Sequence, residues 1–276
     1  MIHLVIALPA EARPLITHYR LQRRPGNSVF PIYAGAGIRL VVSGPGKLAS
    51  AAAVGYLCAI GAGDPGGAVW LNVGVAGHRD HALGAGFLVH SIEERESGRR
   101  WYPPRVISVD CGSASLITVG APETDYPEEG LYDMEGAGFY AMATRDASGE
   151  LVQCYKVVSD NALAPAPRVD ARQVEALIGG QMPAITGVVE ALEALRRELP
   201  GSEAGRAALD GFLGRWRFSA AERHRLERLL DRHAALSPGR PLEPADFRFC
   251  RAGPEVLRAL EARLAGLTGR AVEAGA

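Results

Sequence analysis

Four short polar segments follow apolar runs in this chain: Ala7-Leu-Pro-Ala-Glu11, Asn72-Val-Gly-Val-Ala-Gly77, Asp133-Met-Glu135-Gly-Ala and Lys156-Val-Val-Ser-Asp160-Asn. Each sets a polar or ionisable residue just past an apolar run or at a helix start. Carboxylates and a lysine held at such points can give or take a proton, or grip a hydroxyl. Any one of them alone would more commonly be a helix cap or a surface charge. Their combination and order are more informative than each taken singly.

The elements that must position these residues are short strands alternating with helices. Strands are expected at His3–Leu8, Ile38–Ser43, Val69–Val73, Phe87–Ile92, Leu116–Val119 and Val152–Val158. Several are apolar on consecutive residues, which fits strands covered on both faces of a mainly parallel sheet. Leu48–Ile60 reads as a helix of small residues able to pack closely on that sheet. A second helix is expected from near Met134 through Ala143, and a third over Val174–Leu199, stopping at Pro200-Gly201. The alternation predicts an α/β three-layer domain with the polar segments at its strand ends, where α/β sheets carry their chemistry.

After Pro200-Gly201 the composition changes: lysine is absent, arginine is frequent and strand-like runs vanish. Ser219-Ala-Ala-Glu222 has the form of a capping box. The helix it opens carries Leu226, Leu229, Leu230 and Ala234 on one side, with Arg223, Arg225, Arg228 and Arg232 largely on the others. Gly253-Pro254-Glu255 begins a last helix, with Pro254 suited to its first turn. The expected organisation is therefore a main domain over residues 1–200 and an arginine-rich helical extension over residues 201–276.

The 276 residues are 47% hydrophobic and 22% charged, enough for a sizeable core, and the formal net charge is −1. Such a balance gives no strong field for nucleic acid or membranes. The first residues have too short an apolar run for an export signal and meet Glu11 and Arg13 at once. No apolar stretch approaches the roughly 20 residues that span a bilayer. Cys58, Cys111, Cys154 and Cys250 are widely spaced, so reduced thiols and a cytoplasmic location are expected.

Taken together, Ser43-Gly-Pro-Gly-Lys47, Asn72-Val-Gly-Val-Ala-Gly77, Met134-Glu135 opening a helix and Ser159-Asp160 ending a strand occur in a telling order. Over residues 1 to about 195 the chain resembles the methylthioadenosine and S-adenosylhomocysteine nucleosidases, within the wider nucleoside phosphorylase and nucleosidase superfamily. The resemblance implies a phosphorylase-like α/β/α domain with a mixed, largely parallel central sheet. It also implies cleavage of the N-glycosidic bond of a purine-type nucleoside, with adenine the expected base, and a homo-oligomeric assembly.

The same resemblance implies roles for named residues. Glu135, with the backbone of Met134, would hold the ribose 2′- and 3′-hydroxyls and offset charge growing on the sugar. Asp160 would protonate N7 of the departing purine, supported by Ser159, and Glu11 would activate water. Lys156 stands where these nucleosidases carry an arginine, keeping the charge without the forked geometry. Phosphorylases of the group hold phosphate with an arginine and a serine at the positions of Asn72 and Val75, neither of which suits a dianion. Water is therefore expected as the nucleophile, although Val75 also departs from the serine of the nucleosidases. The loop between Val119 and Asp133 is shorter than the family's base-recognition stretch, leaving Tyr126 as a candidate ring platform for the base.

Other signals are weaker. Ser43-Gly-Pro-Gly-Lys-Leu-Ala49 imitates a dinucleotide-binding turn, but Pro45 stiffens it and no acidic residue follows a second strand at the needed distance. His78 and His81 lack a third metal ligand at a diagnostic spacing. No cofactor or metal is expected, and a small-molecule nucleoside with water is the expected reactant pair. The alternatives are phosphorolysis, with phosphate as co-substrate, and a non-catalytic nucleoside-binding or regulatory protein whose tail holds a partner. Glu222, Glu227 and Asp231 dilute the arginine-rich helix, so nucleic acid is not an expected partner.

Overall fold

A computed structural model describes residues 1–26, 28–61, 68–164, 170–198, 204–237 and 240–273. The chain divides into two compact units, Met1–Arg196 and Arg197–Ala276. The expected boundary at Pro200-Gly201 and the end of the third helix at Leu199 lie outside the described residues. Among the described residues, no helix is long and apolar enough to cross a membrane.

The first unit contains strands β1 (Ile2–Ile6), β2 (Gln22–Arg23), β3 (Ile32–Gly35), β4 (Ile38–Val42) and β5 (Val69–Gly77). They are followed by β6 (Gly86–Glu94), β7 (Arg99–Trp101), β8 (Gly112–Thr118), β9 (Leu131–Asp133) and β10 (Val152–Asp160). The six strands expected from apolar runs are all present, and β1, β4 and β10 are buried at every residue, which is why their sequences do not alternate. The four additional strands are short, and three of them (β2, β3 and β7) form antiparallel additions to β4 and β6 rather than buried runs.

The sheet is mixed. Strand β1 lies between β4 and β5, parallel to both, and β5 is also parallel to β10. From β10 the order continues through antiparallel β6 and then parallel β8 and β9. A single pairing, Gly77 with Tyr132, brings β9 back to β5. Strands β5, β10, β6, β8 and β9 therefore close on one another, while β1, β4, β3 and β2 extend from β5 as an open sheet. Mainly parallel describes the middle of the sheet, and antiparallel pairs make its margin and its closure.

Helices α1 (Pro9–His18) and α2 (Lys47–Ile60) connect β1 toward β4 and β4 to β5. These crossovers run in opposite directions across the sheet, so right-handed connections put the two helices on opposite faces. Helix α3 (Gly136–Ala143) packs beside α2, and helix α4 (Ala171–Gly180) beside α1. The core under α2 and α3 includes Val5, Val41, Ala53, Leu57, Trp70, Phe139 and Val158. Contact between α2 and α3 is close enough that a Cβ at Gly138 would lie 2.0 Å from the Lys47 carbonyl oxygen. That approach sets the start of α3 against the glycine-rich turn before α2.

The expected third helix is two. Helix α4 stops at Gly179-Gly180, and α5 (Met182–Glu198) begins again with Pro183 in its first turn. Val174, Ile178, Met182, Ile185 and Val189 keep one apolar stripe through the break, which made the sequence read as one helix.

The second unit comprises α6 (Ala204–Arg215), α7 (Ala220–Leu236) and α8 (Gly253–Glu273), with no strand among its described residues. Phe212, Trp216, Leu226, Leu230, Phe247, Leu257 and Leu260 form its own core. Ser219 and Glu222 make the expected reciprocal cap of α7, at 2.8 and 3.4 Å. Arg225 pairs with Glu261 at 2.6 Å, and Arg263 lies 3.7 Å from Asp246, so part of the arginine content is spent within the unit.

Candidate active site

Glu11 sits in the first turn of α1, just after the end of β1, and is 2% exposed. One carboxylate oxygen accepts the Leu8 N–H and the other the Val75 N–H, each at 2.8 Å. Burial pushes its carboxyl up to about 7, against the opposing pull of those two N–H groups and of Lys156. Gly74, before Val75, lies close against both charged groups. A Cβ at Gly74 would stand 3.0 Å from Glu11 Oε1 and 3.5 Å from Lys156 Nζ.

Lys156 lies inside β10 opposite Gly74 and is 1% exposed. Its ammonium pairs with Asp133 Oδ2 at 2.8 Å. Burial works against that charge, but the carboxylates of Asp133 and Glu135 outweigh it and hold Lys156 protonated. Asp133 is in turn fully engaged. Its Oδ1 accepts the Thr118 hydroxyl at 2.7 Å, and Oδ2 also accepts the Gly136 N–H at 2.7 Å. Thr118 Oγ1 accepts the Ala137 N–H at 2.9 Å, tying β8 and β9 to the start of α3.

Glu135 occupies the N-cap position of α3 and is largely buried. Its Oε1 accepts the Gly46 N–H at 2.7 Å. Gly44 and Gly46 have φ of +81° and +101°, values that L side chains rarely adopt, and this turn aims the Gly46 N–H at Glu135. Burial first, and then the Asp133 charge, raise the Glu135 carboxyl, with Lys156 and the Gly46 N–H opposing. The glycine-rich segment that imitates a dinucleotide turn thus serves a carboxylate. Lys47, which follows it, pairs with Glu94 and Glu96 at 2.7 and 2.6 Å.

Asp160 ends β10, where the register with β5 shifts between Val158 and Asp160 so that Asp160 faces Gly77. Such an irregularity re-aims a side chain at a strand end. Ser159 Oγ donates to Asp160 Oδ1, and the Tyr126 hydroxyl donates to Oδ2. A Cβ at Gly77 would lie 2.6 Å from both Asp160 Oδ2 and the Tyr126 ring. The segment Gly74–Gly77 therefore has Glu11 and Lys156 against one end and Asp160 against the other. Glu135 interacts electrostatically with Glu11 and Lys156.

Tyr126, a candidate ring platform from the sequence, is 1% exposed and edge-on to Tyr132 at 5.6 Å, with its hydroxyl on Asp160. The Lys156 charge is committed to Asp133. Val75 contributes its backbone N–H to Glu11, and half-buried Met134 packs on the cluster of Ile117, Val119, Tyr126 and Tyr132. Asn72 uses its amide to bind the Val5 carbonyl at 2.8 Å, joining β5 to β1. His78 closes a turn by accepting the Asp80 and His81 N–H groups, each at 3.1 Å.

Thr118 and the Gly46 N–H were not singled out from the sequence, and Asp133 stood there only at the head of its segment, with no role. A lysine within a buried strand calls for an acidic partner without naming it, and the structure supplies Asp133. Lys156→Met should therefore destabilise the protein by about 3–5 kcal/mol, the cost of leaving Asp133 charged and unpaired. Urea unfolding measures this, and a loss below about 1 kcal/mol would show that the pair does not hold the site together.

No family model matches the chain, and no curated protein matches it. Solved structures do match it in fold. The 5′-methylthioadenosine nucleosidase of Arabidopsis thaliana superimposes with a TM-score of 0.57 at 18% identity, covering 69% of this chain and 95% of that one. An S-adenosylhomocysteine nucleosidase from Streptococcus pyogenes gives 0.54 at 18% identity, covering 70% and 96%. The futalosine hydrolase of Helicobacter pylori gives 0.52 at 13% identity, covering 68% and 97%. At these identities the likeness is one of fold, and the chain has the α/β fold of these nucleosidases.

Proposed function

We propose that this chain hydrolyses the N-glycosidic bond of a purine-type nucleoside. The observation that carries the reading is the pair of carboxyls at the two ends of Gly74–Gly77. Glu11 is buried and pushed up to about 7, and Asp160 is held by two hydroxyls. A base and an acid in different surroundings are what cleavage of a C–N bond by water requires.

In this mechanism Asp160 gives its proton to N7 of the base as the bond to the sugar breaks, the electron pair leaving with the base. Glu135 and the Met134 backbone hold the ribose hydroxyls, and the nearby carboxylate charge favours the cationic sugar. Glu11 takes a proton from the water that adds to the anomeric carbon, and solvent later restores both carboxyls. Lys156 acts at one remove, fixing Asp133 and hence the start of α3 that carries Glu135. Ser159 holds the second oxygen of Asp160. Val75 offers only an apolar side chain and Asn72 is engaged with Val5, so the segment supplies no side chain suited to phosphate.

The test is incubation with adenosine, inosine, methylthioadenosine, S-adenosylhomocysteine and futalosine, following base release. At least one should be cleaved without phosphate. Release from none of them would overturn the reading. The enzyme is further proposed to act as a homo-oligomer, and light scattering showing only monomer at micromolar concentration would contradict that.

A further inference from the structure

We infer that Tyr126 is a positioning residue for Asp160, holding the acid in place and stabilising the carboxylate left after its proton has gone to the base. This inference rests on the hydrolase reading above and adds a residue to it. Three independent features converge on the placement of one hydroxyl. Tyr126 has φ of +44°, a left-handed conformation that costs a residue with a large side chain some strain. Its ring is buried edge-on against Tyr132, whose own hydroxyl is fixed by the Glu128 N–H at 2.9 Å and the Glu128 carbonyl at 3.1 Å. Gly77 leaves open the space that the Tyr126 ring and Asp160 Oδ2 share, where any Cβ would collide with both.

The short loop between β8 and β9 is thus bent so that a phenol meets the acid. Burial first, and then the adjoining Asp160, keep that phenol protonated, so it remains a donor. A carboxylate has about four lone-pair sites, and Tyr126 and Ser159 occupy two, leaving room for the base. When Asp160 transfers its proton to N7, the new carboxylate already has two hydroxyl donors aimed at it. This help matters only for a leaving group that must be protonated.

Tyr126→Phe separates the role from mere packing. The substrates are the fastest-cleaved nucleoside of the panel above and 4-nitrophenyl β-D-ribofuranoside, whose phenolate departs without a proton. The variant should lose roughly tenfold to a hundredfold in kcat on the purine nucleoside, with KM within about threefold of wild type. Its purine-to-nitrophenyl rate ratio should fall by a similar factor. Gly77→Ala, which forces Tyr126 and Asp160 apart, should lower the ratio in the same direction. A loss carried by KM, an equal loss on both substrates, or no loss would overturn the role of Tyr126 alone. Wild-type protein inert on both substrates would overturn the hydrolase reading and this role with it.

Discussion

Asp160→Asn should lower turnover of a purine nucleoside by roughly 10² to 10⁴-fold, the usual contribution of a general acid, while binding largely survives. Asparagine keeps the shape of the side chain and can still bond with both hydroxyls. Its carbonyl oxygen accepts from one, and its amide donates to the other once that hydroxyl rotates. The fold should therefore be retained while the transferable proton is lost. Initial rates at saturating nucleoside, with affinity measured separately by calorimetry, distinguish these effects. A variant retaining more than a tenth of wild-type turnover would remove Asp160 from the chemistry.

Glu11→Gln should also abolish turnover, and it should change how both activity and stability respond to pH. Burial raises the Glu11 carboxyl from 4.5 to about 7, so the folded protein binds a proton there that the unfolded chain has released. Below about 4.5 both states are protonated. As pH rises from there through about 7, the unfolded state gains ionisation first and stability declines, by on the order of 3 kcal/mol from this residue. That part of the decline should vanish in the glutamine variant. Glutamine can accept only one of the two N–H groups that Glu11 holds, so the variant should also be less stable at low pH. Activity that needs Glu11 as a base should rise in the wild type as pH passes through about 7. Denaturant unfolding at pH 5 and 8, beside a pH–rate profile, reads both effects. An unchanged stability slope in the variant would mean that Glu11 is not the group that titrates.

Much of the framework was legible because it rests on local physics. Buried strands such as β1, β4 and β10 appear as short, mostly apolar runs without strict alternation, and Ser219 with Glu222 announces the start of α7. Glu11, Glu135 and Asp160 stand in polar segments at strand ends and helix starts, and their roles followed from the resemblance to the nucleosidases. What the chain does with those charges was not legible, since it depends on distant partners. Nothing near Lys156 in sequence names Asp133, and nothing near Tyr126 names Asp160 or the space that Gly77 leaves for both. The antiparallel closure through Gly77 and Tyr132 was hidden for a similar reason. A three-residue strand has too few positions to show a period. The break between α4 and α5 was obscured by an apolar stripe that runs through it, although Gly179-Gly180 and Pro183 marked the place.

In the proposed reaction water, activated at Glu11, attacks the sugar while Asp160 protonates the base. The most direct measurement is analysis of the sugar product when the fastest-cleaved nucleoside of the panel is incubated with and without phosphate. Free sugar should form at the same rate in both, and Asp160→Asn and Glu11→Gln should each form it at least about a hundredfold more slowly. Sugar 1-phosphate as the product, with no reaction when phosphate is withheld, would contradict it.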